Sequence, residues 1–453
     1  MKAYIKGAEL GLPDSGKILM NKILSWSAAV AVGGFLFGFD TAVISGADQP
    51  LQRLWQTSDL LHGAMVMSSA LWGTVLGALV GGLICERYGR KKVLILIAIF
   101  YLSSAIGSAF SGNPFFFALM RLVGGFGVGI SSIVVPAYIA EIAPAKYRGR
   151  LVALYQFQIV FGILVAFLSN FILTEYLNLN WRWMLGIEII PAVIFLIMVL
   201  KVPESPRWLL IRKKDKAECL RVLKSIDPNN AMDTLEEISS APVQMSTDRL
   251  FSKPYIVPIT LAFFIALFNQ LSGINFIIYF APRVFSLAGL DDSVALLSSA
   301  GVGIINLLFT IFGMLLIDNF GRRSLMLIGS IGYIFSLLSI SLAFYMNVGG
   351  LTVVFFVFLF IASHAMGQGA VIWVFFAEIF PNNVRTKGQS LGSGVHWLLA
   401  ALITLLMPYF LNQFAAFKIF GFFAIMMIFQ LIFVFYFMPE TRQKTLESLA
   451  KNY

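Results

Sequence analysis

Twelve runs of about 20 mostly apolar residues, the length a helix needs to cross a bilayer, divide this chain almost end to end. They fall near 24–47, 63–85, 93–111, 115–139, 150–173, 184–200, 254–282, 294–317, 324–345, 352–377, 388–411 and 417–438. In hydrocarbon every backbone N–H and C=O needs an internal partner, so such segments fold as helices. The sequence therefore predicts an all-α polytopic membrane protein, its transmembrane helices called here spans 1 to 12. Only 12% of the 453 residues are charged, against about 25% in soluble domains. The net charge of +10 sits in short clusters between apolar runs, which excludes the basic face that nucleic-acid binding requires.

Those clusters set the orientation. Of the 33 Lys and Arg, all but Arg53, Arg121, Arg182, Arg283 and Lys418 lie in the two tails or in the loops after even-numbered spans. Positive loops stay inside, which places both termini in the cytoplasm. No apolar signal-peptide core precedes span 1, which is expected to be the targeting signal itself. Cys85 and Cys219 form no CxxC or Cys/His pattern and are expected to be reduced and structural.

The chain also repeats itself. ERYGRKK at 86–92 is answered by DNFGRRS at 318–324, AEIAPAKYRGR at 140–150 by AEIFPNNVRTKG at 377–388, and PES after span 6 by PET after span 12. The offsets, 232, 237 and 236 positions, are nearly equal. A duplicated six-span unit with its substrate site at the repeat interface is an architecture of secondary transporters. The predicted divisions are a cytoplasmic tail 1–23, a six-helix bundle 24–200, a cytoplasmic helical linker 201–253, a second bundle 254–438 and a cytoplasmic tail 439–453. Within the linker, Ser205-Pro206 reads as an N-cap followed by proline at the first helical position.

The repeated charges have a mechanical use. Glu86 and Asp318 can pair with Arg90 and Arg322 across tight loops. Glu141 lies seven residues before Arg148, and Glu378 seven before Arg385, about two helical turns, which brings each pair to one layer of the cytoplasmic face. Exposed ion pairs are worth ~0–1 kcal/mol, weak enough for a gate that opens and closes.

ERYGRKK, DNFGRR, VPESPRW, the terminal PET and QLSGINFIIYFAP of span 7 together resemble the sugar porter family of the major facilitator superfamily, over essentially the whole chain. The resemblance implies two six-helix bundles that rock around a central sugar site. The family includes proton-coupled xylose and hexose symporters and facilitative glucose carriers. The chain departs from it at ETRQ near the C-terminus, at Asn269-Gln270 where paired glutamines are usual, and at His396 where Asn or Gln is common.

A sugar presents hydroxyls that donate and accept, and apolar C–H faces, so its site calls for amides and aromatic surfaces. The spans offer Gln156, Asn269, Gln270, Asn275, Asn306, Gln368 and His396, with Phe37, Tyr279, Trp373 and Trp397 for stacking. The family pattern maps sugar contacts onto Gln156, Asn269, Gln270, Asn275, Asn306, Trp373, His396 and Trp397. Ser272-Gly273 is where span 7 can break and turn Asn275 toward Gln270.

Asp40, Arg121 and Glu188 are isolated charges in three spans of one half, and their depths from the span ends place them in one slab of the membrane. An arginine that holds a carboxylate ionised in one conformation and leaves it in another makes a proton coupler. The resemblance agrees, since proton-coupled members carry Asp in the FG[FY]DT stretch and facilitative members Asn. No HExxH or paired catalytic carboxylates are present, so neither an enzyme nor a cofactor is expected. The expectation is a proton–monosaccharide symporter of the plasma (bacterial inner) membrane that works as a monomer on sugar and protons. An uncoupled sugar or polyol carrier and a non-transporting sugar sensor are the alternatives.

Overall fold

The structure is a computed structural model that describes residues 14–144, 147–240, 249–381 and 383–442. Most of the tail 1–23, the linker stretch 241–248 and the end of the tail 439–453 lie outside the described residues. Among the described residues, twelve helices are long and apolar enough to cross a membrane, from Asn21–Trp55 to Ala416–Tyr436.

The two halves pack alike. Span 1 lies against span 5, span 2 against span 4, and span 3 against spans 4 and 6. The second half answers with span 7 against span 11, span 8 against span 10, and span 9 against spans 10 and 12. The halves meet where span 5 packs on span 8 and span 2 on span 11, two contacts that are images of each other under the repeat.

Three spans are interrupted. Span 6 breaks between Trp181–Gly186 and Ile189–Leu200, span 7 between Ile256–Leu271 and Ile274–Leu287, and span 10 between Leu351–Met366 and Gln368–Ile379. The break in span 7 is the expected one. Gly273 has φ +85°, a left-handed conformation that side chains resist, and a Cβ there would lie 2.8 Å from the Phe423 ring.

Span 1 runs further than its hydropathy indicates. It continues to Trp55 instead of ending near Ala47. Hydropathy falls at Asp48, but the helix persists because Asp48 is buried against His62, with Nε2 to Oδ1 at 2.8 Å. The linker forms short helices at Pro206–Ile211, Lys216–Ile226 and Ala231–Ser240, the first capped by the Ser205 hydroxyl, which accepts from the Trp208 N–H at 3.3 Å.

Candidate sugar and proton site

In the first half, Arg121 of span 4 reaches across to span 1. Its Nη1 donates to the Asp40 carboxylate and its Nη2 to the Asp40 carbonyl at 3.0 Å. Both side chains are about 2% exposed, so this is a buried ion pair. Glu188 occupies the break of span 6, is 1% exposed, and interacts electrostatically with both Asp40 and Arg121. Its Oε1 has no hydrogen-bond partner, and neither does Arg121 Nε. A buried carboxyl oxygen beside an incompletely satisfied guanidinium is a second place for Arg121 to go.

The second half supplies the amides. Asn275 Nδ2 donates to Gln270 Oε1 at 2.7 Å, a contact made possible by the turn at Gly273. Gln270 Nε2 donates to Asn269 Oδ1 at 3.1 Å and lies 3.1 and 3.2 Å from the two ring nitrogens of His396. His396 in turn touches Trp373 and Trp397, with ring centroids 5.0 and 4.8 Å away. Trp397 packs on Phe37 of the other half at 5.6 Å. Trp373 is 37% exposed, whereas Trp397 is buried.

Other expected contacts are placed differently. Gln368 is fully buried behind Asn269. Its Oε1 accepts from Asn269 at 3.1 Å and from the Tyr333 hydroxyl at 3.2 Å, while its Nε2 donates to Gln430. Its amide is thereby tied to Asn269 on one side and to Tyr333 and Gln430 on the other. Tyr279 is buried near Thr41, Asp40 and Arg121, on the side of the ion pair. Asn306 accepts from Thr310 at 3.4 Å on span 8, and Gln156 is half-buried on span 5.

At the linker end, the paired motifs form two matching clamps. Arg90 donates from Nε and Nη2 to both oxygens of Glu141, at 3.0 and 2.8 Å, with Glu86 3.6 Å away. Arg322 does the same to Glu378, at 3.1 and 2.9 Å, with Asp318 at 3.3 Å. The seven-residue spacing puts Glu141 and Arg148, and Glu378 and Arg385, in one layer, free to pair within a half or across to the other. Both helices end first, with extended backbone at Ala143 and Phe380, so seven residues no longer measure two turns. Arg148 is exposed, and Arg385 Nε donates to the Phe380 carbonyl at 3.5 Å.

The sequence reading missed the acids of PES and PET. Glu204 accepts from the backbone N–H groups of Arg90 and Lys91, at 2.8 and 3.1 Å. Glu440 accepts from Arg322 and Arg323, at 2.9 and 3.0 Å. Each acid caps the positive end of a span, where anions are favoured. Burial opposes the charge on Glu440, but the N–H groups of Arg442, Arg322, Arg323 and Thr441 outweigh it and hold the carboxyl below its ordinary range. Duplication of the motif was the available signal.

A family profile described as "Sugar (and other) transporter" matches residues 26–453. The chain belongs to this family. It is a transporter, not an enzyme. The transporter is 34% identical to the D-xylose-proton symporter of Escherichia coli strain K12, over 94% of this chain and 95% of that one. It is 33% identical to the arabinose-proton symporter of Bacillus subtilis strain 168, over 98% and 97%. Among solved structures, the inward open conformation of the E. coli xylose transporter superposes on the transporter with a TM-score of 0.84, at 32% identity over 95% of this chain and 100% of that one. The same E. coli protein bound to 6-bromo-6-deoxy-D-glucose gives 0.76, at 32% identity over 95% and 99%. The fold is that of the major facilitator superfamily.

Proposed function

We infer that the protein imports a monosaccharide together with protons by alternating access, in a bacterial-type inner membrane with both termini cytoplasmic. The observation that carries this reading is the buried Asp40–Arg121 pair with the unpartnered Glu188 oxygen beside it. A carboxylate that loses its arginine in a dry site takes up a proton, because burial penalises the bare charge. Glu188 offers Arg121 an alternative partner at that moment. Proton symport by the xylose and arabinose relatives supports the assignment.

Sugar recognition falls to Gln270, Asn269, Asn275, Gln156 and Asn306, with Trp373 and Trp397 as stacking surfaces and His396 replacing an amide. Gln368 positions Asn269, and Tyr279 lines the site on the side of Asp40 and Arg121. Phe37 closes the site from the first half. The clamps of Glu86, Arg90 and Glu141, and of Asp318, Arg322 and Glu378, brace the cytoplasmic ends of the two bundles, and Arg148 and Arg385 lie beside them. Polar contacts between the halves include Arg283 to Gln52 at 3.2 Å and Asn412 to Asp59 at 2.7 Å. Both lie at the end opposite the linker, and together with the higher TM-score to an inward open structure they support an inward-facing state. One chain holds the whole site, which supports function as a monomer in the bilayer.

Uptake of radiolabelled sugars into proteoliposomes, with and without an inward proton gradient, tests the reading. Accumulation above the outside concentration only when the gradient is present is the expected result. Equal uptake in both conditions points to an uncoupled carrier.

A further inference from the structure

At the end opposite the linker lies a polar cluster that proton coupling at Asp40 does not use. Asp48 of span 1 is buried, with Oδ1 2.8 Å from His62 Nε2. Its Oδ2 has no hydrogen-bond partner and faces Arg283 Nη1 of the other half at 3.6 Å. Arg283 also donates to Gln52 at 3.2 Å, Gln52 to Asp59 at 2.9 Å, and Asn412 to the second oxygen of Asp59 at 2.7 Å. The remaining nitrogen of His62, Nδ1, lies 3.4 Å from the Thr57 hydroxyl. A cavity lined by Gln49, Gln52, Arg53, Arg283, Ser286 and Leu287 opens beside the cluster.

We propose that His62 is a second proton-binding site, one that loosens the external clasp between the two halves when the outside is acidic. This rests on the orientation and the alternating access inferred above. Imidazole is the side chain whose charge changes between about pH 5 and 8. A buried imidazolium needs acceptors for both N–H groups, and Asp48 and Thr57 stand at the two nitrogens. With His62 neutral, the charge of Asp48 is directed to Arg283 and ties span 1 to span 7. With His62 protonated, one carboxylate serves two cations, and the two cations repel each other. Arg283 is the one that can leave, because it belongs to the other half and has the longer contact.

The opened state is also provided for. Asp48 keeps His62 within its own half, so parting the halves does not strand a bare buried carboxylate, which would be costly. The cavity beside Arg283 and Gln52 brings external water to the edge of the cluster. His62 ends the short helix Asp59–His62, which leads into the turn Gly63–Met67, and Asp59 on that helix and Arg53 at the end of span 1 are charged. Of the spans packed against this turn, span 4 carries Arg121, bound to Asp40, and Glu141, bound to Arg90, and span 2 carries Glu86 and Arg87 only in its last turn, at the far end. Span 11 carries Arg385 and Lys387 at its opposite end.

The test uses spin labels at the exposed positions Leu54 and Phe414, one on each half at the outer end. The protein carries Cys85→Ser, Cys219→Ser and Asp40→Asn, the last to remove the coupling carboxylate, and is placed in lipid nanodiscs without a gradient. Lowering the medium from about pH 8 to about pH 5.5 should raise the ratio of long to short distances roughly three- to fivefold, the scale of one weakened ion pair. His62→Gln should abolish the rise, and Arg283→Gln should give the long distance at both pH values. A rise of the same size in His62→Gln, or no rise with His62 intact, overturns the proposal. A single short distance in every sample, with or without D-xylose, overturns alternating access itself and this proposal with it.

Discussion

Replacing Asp40 by Asn separates coupling from folding, and the structure sets the size of both effects. Removing one partner of a buried ion pair ordinarily costs about 3–5 kcal/mol, because the other charge is left bare. Here Arg121 keeps its bond to the main-chain carbonyl of residue 40 at 3.0 Å, the new amide oxygen still accepts from it, and Glu188 supplies a charge. The loss should therefore fall below that range, and the variant should still fold, with a lowered melting temperature in detergent. Coupling should disappear altogether. A gradient of one pH unit with 100 mV supplies ~3.7 kcal/mol per proton, which supports an accumulation of about 500-fold for one proton per sugar. Asp40→Asn should bring the ratio to about one while sugar exchange between equal concentrations continues. The assay is radiolabelled accumulation in proteoliposomes beside counterflow in the same preparation. Accumulation far above one in the variant would show that the coupling carboxylate is elsewhere, and Glu188→Gln would be the next substitution to measure.

Gln270→Ala removes the amide that joins Asn275, Asn269 and His396, and it should weaken sugar binding by ~1 kcal/mol or more, about fivefold in Kd, by calorimetry on purified protein. Gly273→Ala forces a side chain into left-handed backbone and onto the Phe423 ring; a cost of about 1–2 kcal/mol should lower the melting temperature and weaken sugar binding together, as Asn275 is displaced. Glu440 has a folded-state pKa below its ordinary value of 4.5, so its cap contributes fully above about that pH and fades as the pH falls through the lowered value. Glu440→Gln should therefore flatten the acid limb of a stability-against-pH curve, and an unchanged limb would remove the cap from the account.

The spans were legible because hydrocarbon imposes length and apolarity on each segment separately. The break at Ser272-Gly273 was legible because a glycine set between amides in an apolar run lets the backbone turn where polar side chains must converge. Interruptions at Glu188 and Gly367 carried weaker signals, one a single acid and the other one glycine among many. The seven-residue spacing left the partners of Glu141 and Glu378 open, and because the helix ends between each Glu and its following Arg, Glu141 takes Arg90 and Glu378 takes Arg322. The depth argument for Asp40, Arg121 and Glu188 held in outline although the end of span 1 was misplaced, since the slab is defined by three helices and not by one. The outer cluster was invisible. Asp48 and Arg283 lie 235 positions apart, at matching places in the repeat, but they differ in type, and the cluster they make with His62 acquires meaning only when the halves are brought together.

The caps of Glu204 and Glu440 also say how each bundle is built. In both halves the stretch just after the last span returns to the first residues of the third span and is fastened there through main-chain hydrogen bonds. Spans 3–6 and spans 9–12 are thereby each a closed loop of chain, buckled at its own end. For anyone attaching a reporter or a purification tag, the consequence is practical. The second buckle lies at Glu440, so a fusion joined after Arg442 leaves it fastened, while one joined at the end of span 12 undoes it.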